Sequence, residues 1–318
     1  MKALFHDMIL AILLGILLPG VILNTAVALQ SLRAQSELVV TTAPAEFSEP
    51  STPIWLRTAD GNRKKQALEE YLTGVVLAEM PASFESEALK AQAVAARTYT
   101  QKALKTGGKH GDGSICTDPS CCQAYLSPAV YLEKGGSLES LDKVRSAVQE
   151  TAGLCLYYDG ELIEATYFSC SGGRTEDAVA VWGTAFPYLQ SVDSPGEENA
   201  AHFTDSVTFT VEGFGNRLGL EMTNDPADWF GAVTYTVGGG VDTMEICGKT
   251  YPGTELRSLL GLRSTAFTVT VSENAVTFTT RGYGHRVGMS QYGADAMAVQ
   301  GRTYREILAH YYPGTEIE

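Results

Sequence analysis

Positive charge is scarce in this sequence: 23 Lys and Arg stand against 37 Asp and Glu, a formal net charge of -14 over 318 residues. Nucleic-acid binding draws on clustered Lys and Arg that release counterions, so this balance argues against a nucleic-acid partner. The six cysteines form no paired C-x-x-C framework. Apolar periodicity is missing from Gln30 to about Arg63, where TTAPAEFSEPSTP is rich in Thr, Ser, Pro and Ala. Such a stretch has no face to bury and reads as a tether.

What is present begins with an apolar segment within residues 1–29. The run from Met8 to Leu29 is interrupted only by Gly15, Pro19, Gly20, Asn24 and Thr25, a length that suffices to cross a bilayer core. Ala26 and Ala28 form an A-x-A pattern that a signal peptidase cuts, so a cleaved signal competes with a retained anchor; the length of the run favours the anchor. Lys2 ahead of the run weakly supports a cytoplasmic amino end. The expectation is a single-pass cell-membrane protein, with residues 30–65 as tether and 66–318 as an extracytoplasmic domain.

That domain is organised around Leu68–Thr100, two helices with a break at Pro81. Leu68, Leu72 and Val75 recur on one helical stripe, and the next position on it is Glu79. A carboxylate facing an apolar interior resists ionisation, which suits a general acid; a buried Glu neutralised by a cation fits the same pattern. Lys90 and Arg97 share a face of the second helix. They would orient Glu79, hold anionic substrate groups, or stand as solvated charges beside a core helix.

Next comes KHGDGSICTDPSCCQAY, in which His110, Cys116, Cys121 and Cys122 are four possible ligands in one glycine-bearing loop. Zinc takes four N or S donors in tetrahedral array, and disulfides are the alternative in an exported protein. If the loop binds zinc, Cys155, Cys170 and Cys247 remain, an odd number. Leu141–Thr151 is helical in period, and Asp159-Gly160 between alternating apolar runs predicts a type I′ hairpin. The hairpin leads to YFSCSGG, where Tyr167, Ser169 and Ser171 offer hydrogen-bonding groups. From about 200 to 280 the sequence is strand-rich, with one short helix at LRSLLGL. In RGYGHRVGMSQYGADAMAVQG, glycines surround His285 and Ser290 sits at a helix N-cap position, followed by Gln291. Thr303 and Glu306 form a capping box for a last helix. The fold class is therefore α+β, a helix pair packed on a mixed or antiparallel sheet with a strand-rich subdomain.

Taken together, AEMP, EALKAQAVAARTY, YFSCSGG, LRSLLGLRSTAF and GYGHRVGMSQYGADAMA resemble the stage II sporulation protein D family, which also contains amidase enhancers. The resemblance runs from about residue 66 to the end. It implies lytic transglycosylase activity on peptide-stripped peptidoglycan glycan strands during engulfment, with a sporulation amidase and membrane proteins as partners. Glu79 falls on the family's catalytic glutamate, and Lys90, Arg97, Tyr167, Ser169, His285, Ser290 and Gln291 fall on motif positions lining its cleft. The resemblance also implies a structural zinc on His110, Cys116 and Cys122, with Cys121 standing where a clostridial member has histidine. Cys170 replaces the usual Thr of YFSTSGG, and Arg286 replaces the glycine after His285. Glycosidases usually need two carboxylates, whereas one acid stands out here; a substrate hydroxyl acting as nucleophile removes the need for a second. A non-catalytic glycan-binding activator of a cell-wall amidase is the competing expectation.

Overall fold

The computed structural model describes residues 53–318, except residue 59 and residues 223–225. The apolar segment at 1–29 and the tether as far as residue 52 lie outside the described residues. Folded structure begins within the stretch expected to be tether. There β1 (Pro53–Arg57) and β2 (Arg63–Ala67) pair antiparallel, and Ile54 and Leu56 are buried. Two apolar residues alternating in PIWLR suffice to bury one strand face, a signal too short to stand out after a Pro-rich run.

The helix pair follows as α1 (Leu68–Glu79) and α2 (Ser86–Lys105). Met80 is extended, with φ -124° and ψ 143°, because a residue before proline is pushed out of the helical region. Leu68, Leu72 and Val75 are buried, as are Ala88, Ala91, Ala93, Ala95 and Ala96. Small side chains let neighbours approach α2 closely. Then come β3 (Ser114–Cys116), parallel to β1, α3 (Pro128–Glu133) and α4 (Leu138–Glu150). Asp159 and Gly160, at φ 51° and 73°, turn the hairpin of β4 (Leu156–Tyr158) and β5 (Glu161–Leu162). Positive φ at both positions is what a type I′ turn demands. β6 (Tyr167–Phe168) and α5 (Ala178–Trp182) complete this half.

The strand-rich part runs through β7 (Thr204–Thr210), α6 (Val211–Leu218), β8 (Phe230–Tyr235), β9 (Val241–Ile246), β10 (Lys249–Pro252), α7 (Gly253–Leu260), β11 (Phe267–Ser272) and β12 (Ala275–Arg281). Two three-stranded antiparallel sheets, ordered β11-β12-β7 and β10-β9-β8, share a core of Phe214, Trp229, Tyr251, Leu256 and Phe278. The expectation of one helix here is corrected: α6 is a second. Its two glycines disguise VEGFGNRL, but Thr210 caps it through the Gly213 amide and Phe214 anchors it in the core.

The chain closes with β13 (Met289–Ser290), α8 (Gln291–Val299), α9 (Tyr304–Tyr311) and β14 (Glu316–Ile317). The Thr303–Glu306 capping box at the start of α9 is formed. The architecture is α+β, with the described strands spread over small sheets of two or three. Against α2 pack α1, α4, α8 and α9.

Candidate active site

Two motifs far apart in the chain are zipped together to make one wall of a cleft. β6 and β13 pair in parallel, Met289 opposite Tyr167 and Ser290 opposite Phe168, while Cys170 and Tyr283 exchange backbone hydrogen bonds of 3.2 and 2.7 Å. Gly288 has φ 83°, and a Cβ there would run into the Thr166 carbonyl; only glycine lets the strands close. Arg286 also has positive φ, 66°, an uncommon conformation for a side-chain-bearing residue. Its buried guanidinium donates to Glu176 at 3.0 Å and to the carbonyls of Ser171, Arg174 and Gly238 at 2.7–2.8 Å. Those bonds hold the turn in a shape that a glycine would adopt freely.

Beneath the wall lies Glu197, 1% exposed. Its carboxylate accepts from the Ser171 amide and hydroxyl at 2.9 and 2.7 Å, the Gly172 amide at 2.9 Å and the Ser194 hydroxyl at 2.8 Å. Ser290 donates to it as well, while capping α8 through the Gly293 amide. One buried carboxyl group thus fixes both YFSCSGG and the start of α8, since a polar group is stable in the interior when several hydrogen bonds satisfy it.

The cleft has a volume of about 700 Å³ and is lined by Glu79, Gln123, Tyr167, Ser169, His285 and Gln291, with the Cys/His loop on its rim. Glu79, the last residue of α1, is half-buried. It accepts from the Ala124 amide at 3.3 Å and from the Gln291 side-chain amide at 3.1 Å. Desolvation raises its pKa, and the two hydrogen bonds only partly oppose this. Such a group holds a proton closer to neutrality than a solvated Glu does. Burial, with the nearby Arg257 charge, brings the pKa of His285 down to about 4. The neutral ring accepts the Val287 amide on Nδ1 at 3.1 Å, leaving its proton on Nε2.

Of the residues singled out in the sequence, Glu79, Tyr167, Ser169, His285 and Gln291 line one cleft. Three other residues do not. Arg97 is fully buried, bonded to Glu69 at 2.5 and 3.0 Å and to the carbonyls of Val148 and Leu154. Lys90 bonds Glu87 and Glu150, each at 2.7 Å. The face of α2 that carries both cations turns toward α4, not toward the end of α1. Ser290 has no exposure and is spent on Glu197 and its cap.

Sequence reasoning passed over Gln123 and Glu197. Gln123 donates to the Tyr167 hydroxyl at 2.7 Å and accepts from Thr100 at 2.8 Å and Tyr71 at 3.3 Å. Its place directly after Cys122 was the only available signal. Lys109 on the loop is the one cation lining the cleft among the described residues, and it donates to the Cys121 carbonyl.

The donor atoms of His110, Cys116, Cys121 and Cys122 lie within 4.8 Å of one another. Cys121 and Cys122 sulfurs are 3.9 Å apart, and each approaches His110 Nε2, at 3.8 and 3.6 Å. A tetrahedral zinc with ordinary bond lengths needs S···S edges of about 3.8 Å and S···N edges of about 3.5 Å. The donor set fits such an ion, and all six cysteines are free of disulfides.

Fold and site define an α+β domain with an acid-bearing cleft walled by a Cys/His loop. A family model described as Stage II sporulation protein matches residues 61–158, the part that carries Glu79 and that loop. The chain is 42% identical over 275 residues to the stage II sporulation protein D of Bacillus subtilis (strain 168), covering 85% of this chain and 79% of that one. To the protein of that name from Bacillus amyloliquefaciens it is 40% identical, with the same coverage. An amidase enhancer from Bacillus subtilis (strain 168) is 30% identical over 304 residues, 77% of this chain and 40% of that protein. The chain belongs to the stage II sporulation protein D family.

Proposed function

We propose that the chain is a lytic transglycosylase of sporulation, cleaving the bond between N-acetylmuramic acid and N-acetylglucosamine in peptide-stripped peptidoglycan strands. The observation that carries this reading is a half-buried Glu79 whose desolvation favours the protonated form, in an open cleft with hydrogen-bonding walls. Glu79 gives its proton to the glycosidic oxygen as the bond from muramic C1 breaks, freeing the 4-hydroxyl of the glucosamine. The muramic C6 hydroxyl then attacks C1 and returns its proton to the Glu79 carboxylate, closing a 1,6-anhydro ring. Gln291 and the Ala124 amide aim the carboxylate. Tyr167, Ser169 and neutral His285 offer hydrogen bonds to sugar hydroxyl and acetamide groups.

His110, Cys116, Cys121 and Cys122 would hold a zinc ion on the rim. With four protein donors and no open position, zinc would supply a cross-link to the loop and no Lewis acidity toward substrate. Its effect on chemistry would pass through Gln123 and Ala124, which follow Cys122. An apolar amino-terminal anchor would keep the domain on the extracytoplasmic face of the cell membrane, beside its glycan.

Similarity to an amidase enhancer favours a second reading, in which the cleft binds glycan and recruits a cell-wall amidase and membrane proteins. Mass spectrometry of products from peptide-free glycan separates the two. The first expects anhydro-muramyl ends, lost in Glu79→Gln; an uncleaved strand leaves the second, and reducing ends would mean hydrolysis.

A further inference from the structure

A motif with no role in the cleft lies against its edge. LRSLLGLRSTAF forms the later part of α7 and the turn after it, and with Thr254 and Tyr283 it encloses a second cavity of about 380 Å³. Thr254, Arg257, Ser258 and Arg263 contribute polar groups to it. Tyr283 lines this cavity and the cleft alike, so the two share a wall. The Arg263 charge is accounted for: Nε donates to Asp205 at 2.9 Å, and the guanidinium lies 4.6 Å from the Tyr283 ring centre. Arg257 is different. It is half-buried, it pairs with no carboxylate among the described residues, and its buried Nε has no hydrogen-bond partner.

A partly desolvated guanidinium loses hydration and ordinarily recovers it from an anion or from carbonyl oxygens, as Arg97 and Arg286 do here. Acidic groups outnumber basic ones, 37 to 23, so a counter-carboxylate is not something the chain is short of. Leaving a half-buried arginine without a carboxylate, on a wall shared with the cleft, suits a group that meets its anion only when ligand arrives. The planar fork of guanidinium matches a carboxylate in particular.

We propose that the cavity between α7 and Tyr283 is an anion subsite, in which Arg257 binds the lactyl carboxylate of a muramic residue next along the strand from the bond at Glu79. The assignment rests on the glycan reading above and gives it a reason for preferring peptide-free strands. With a stem peptide attached, that carboxylate becomes a neutral amide and the ion pair is lost. Nearby His285, held neutral in part by the Arg257 charge, does not compete for the anion.

The test uses the full chain carrying Glu79→Gln, so that glycan is bound without turnover. Calorimetry compares a peptide-free tetrasaccharide of alternating glucosamine and muramic acid with an N-acetylglucosamine tetramer, which has no carboxylate. The acidic glycan is expected to bind about tenfold tighter, the value of one charge-assisted pair. Arg257→Gln should abolish the difference while leaving tetramer affinity unchanged, and Arg257→Lys should keep part of it. Melting curves identify any variant that has not folded, and Arg257→Lys then carries the comparison. Equal affinities for the two glycans, or a gap that survives Arg257→Gln and disappears only in Lys109→Ala, overturns the assignment. D-lactate bound alone, with no gap between glycans, would mean a small-anion site and also overturns it. Binding of neither glycan removes the glycan reading along with the subsite. An Arg257-dependent gap in a protein whose Glu79 form cleaves nothing removes only the transglycosylase.

Discussion

Gln291 donates its side-chain amide to Glu79 across 3.1 Å, joining residues 212 positions apart in the chain. The same carboxylate takes the Ala124 amide at 3.3 Å from the Cys/His loop. Three segments thus converge on one acid: α1 supplies its backbone, the loop one donor, and the first residue of α8 the other. Neither donor outweighs the desolvation that keeps the acid's pKa raised.

Removing the Gln291 amide has a defined sign. A donor to the ionised form lowers the pKa of Glu79, so Gln291→Ala raises it further. The alkaline limb of a kcat profile against pH, where the acid loses its proton, should move to higher pH. At the same time kcat at the plateau should fall roughly 10- to 100-fold as the acid loses its aim. A limb that stays put or moves to lower pH would contradict Glu79 as the acid read out by this hydrogen bond.

Arg97 is the reverse case, a residue whose loss should be felt in stability. Arg97→Ala leaves Glu69, at 8% side-chain exposure, with an uncompensated charge. Breaking such a buried pair costs about 3–5 kcal/mol. Chemical denaturation should show that loss, whereas a Lys90→Ala variant, at a partly solvated pair, should lose about 1 kcal/mol or less. Glycan affinity at a temperature where Arg97→Ala remains folded should match that of the parent.

The contrast shows how far the sequence could be read. A period of 3.6 placed Leu68, Leu72, Val75 and Glu79 on one stripe, and Asp159-Gly160 and Thr303-Glu306 announced their turn and cap through local chemistry alone. Partners set by distant packing were hidden. Lys90 and Arg97 occupy one face of α2, but nothing within the helix says whether that face meets the Glu79 end of α1 or, as it does, Glu69 at its start together with α4. Glu197 lies in an unpatterned stretch, and its role exists only once Ser171 and Ser290 have been brought to it. Gln291 was legible as the residue after a cap; that it reaches Glu79 depended on the pairing of β6 with β13.

Metal removal tests the loop. Metal analysis should find about one zinc per chain, lost in Cys122→Ser, because a site with four donors binds metal only with its set complete. Chelation should speed hydrogen exchange across the loop and slow glycan cleavage by freeing the Ala124 amide from Glu79. α4 and the strand-rich part should keep their protection. Unchanged loop exchange after full metal loss would remove the coupling.

Glu197 should act on cleavage through Gln291 without touching substrate. In Glu197→Gln, an NH₂ group replaces either the oxygen that accepts from the Ser171 and Gly172 amides or the one that accepts from the Ser194 and Ser290 hydroxyls, so it opposes backbone donors or forces the two hydroxyls to turn. Donors set against donors in a buried site cost about 2–4 kcal/mol in stability, visible in denaturation. The Ser290 cap loosens with them, so Gln291 drifts from Glu79, and the alkaline limb should move in the same direction as in Gln291→Ala. If the effect passes through Gln291, the double variant should cleave no more slowly than the slower single one, since residues acting in series are not additive. Additive losses in the double variant would instead give Glu197 a route to the site that does not run through α8.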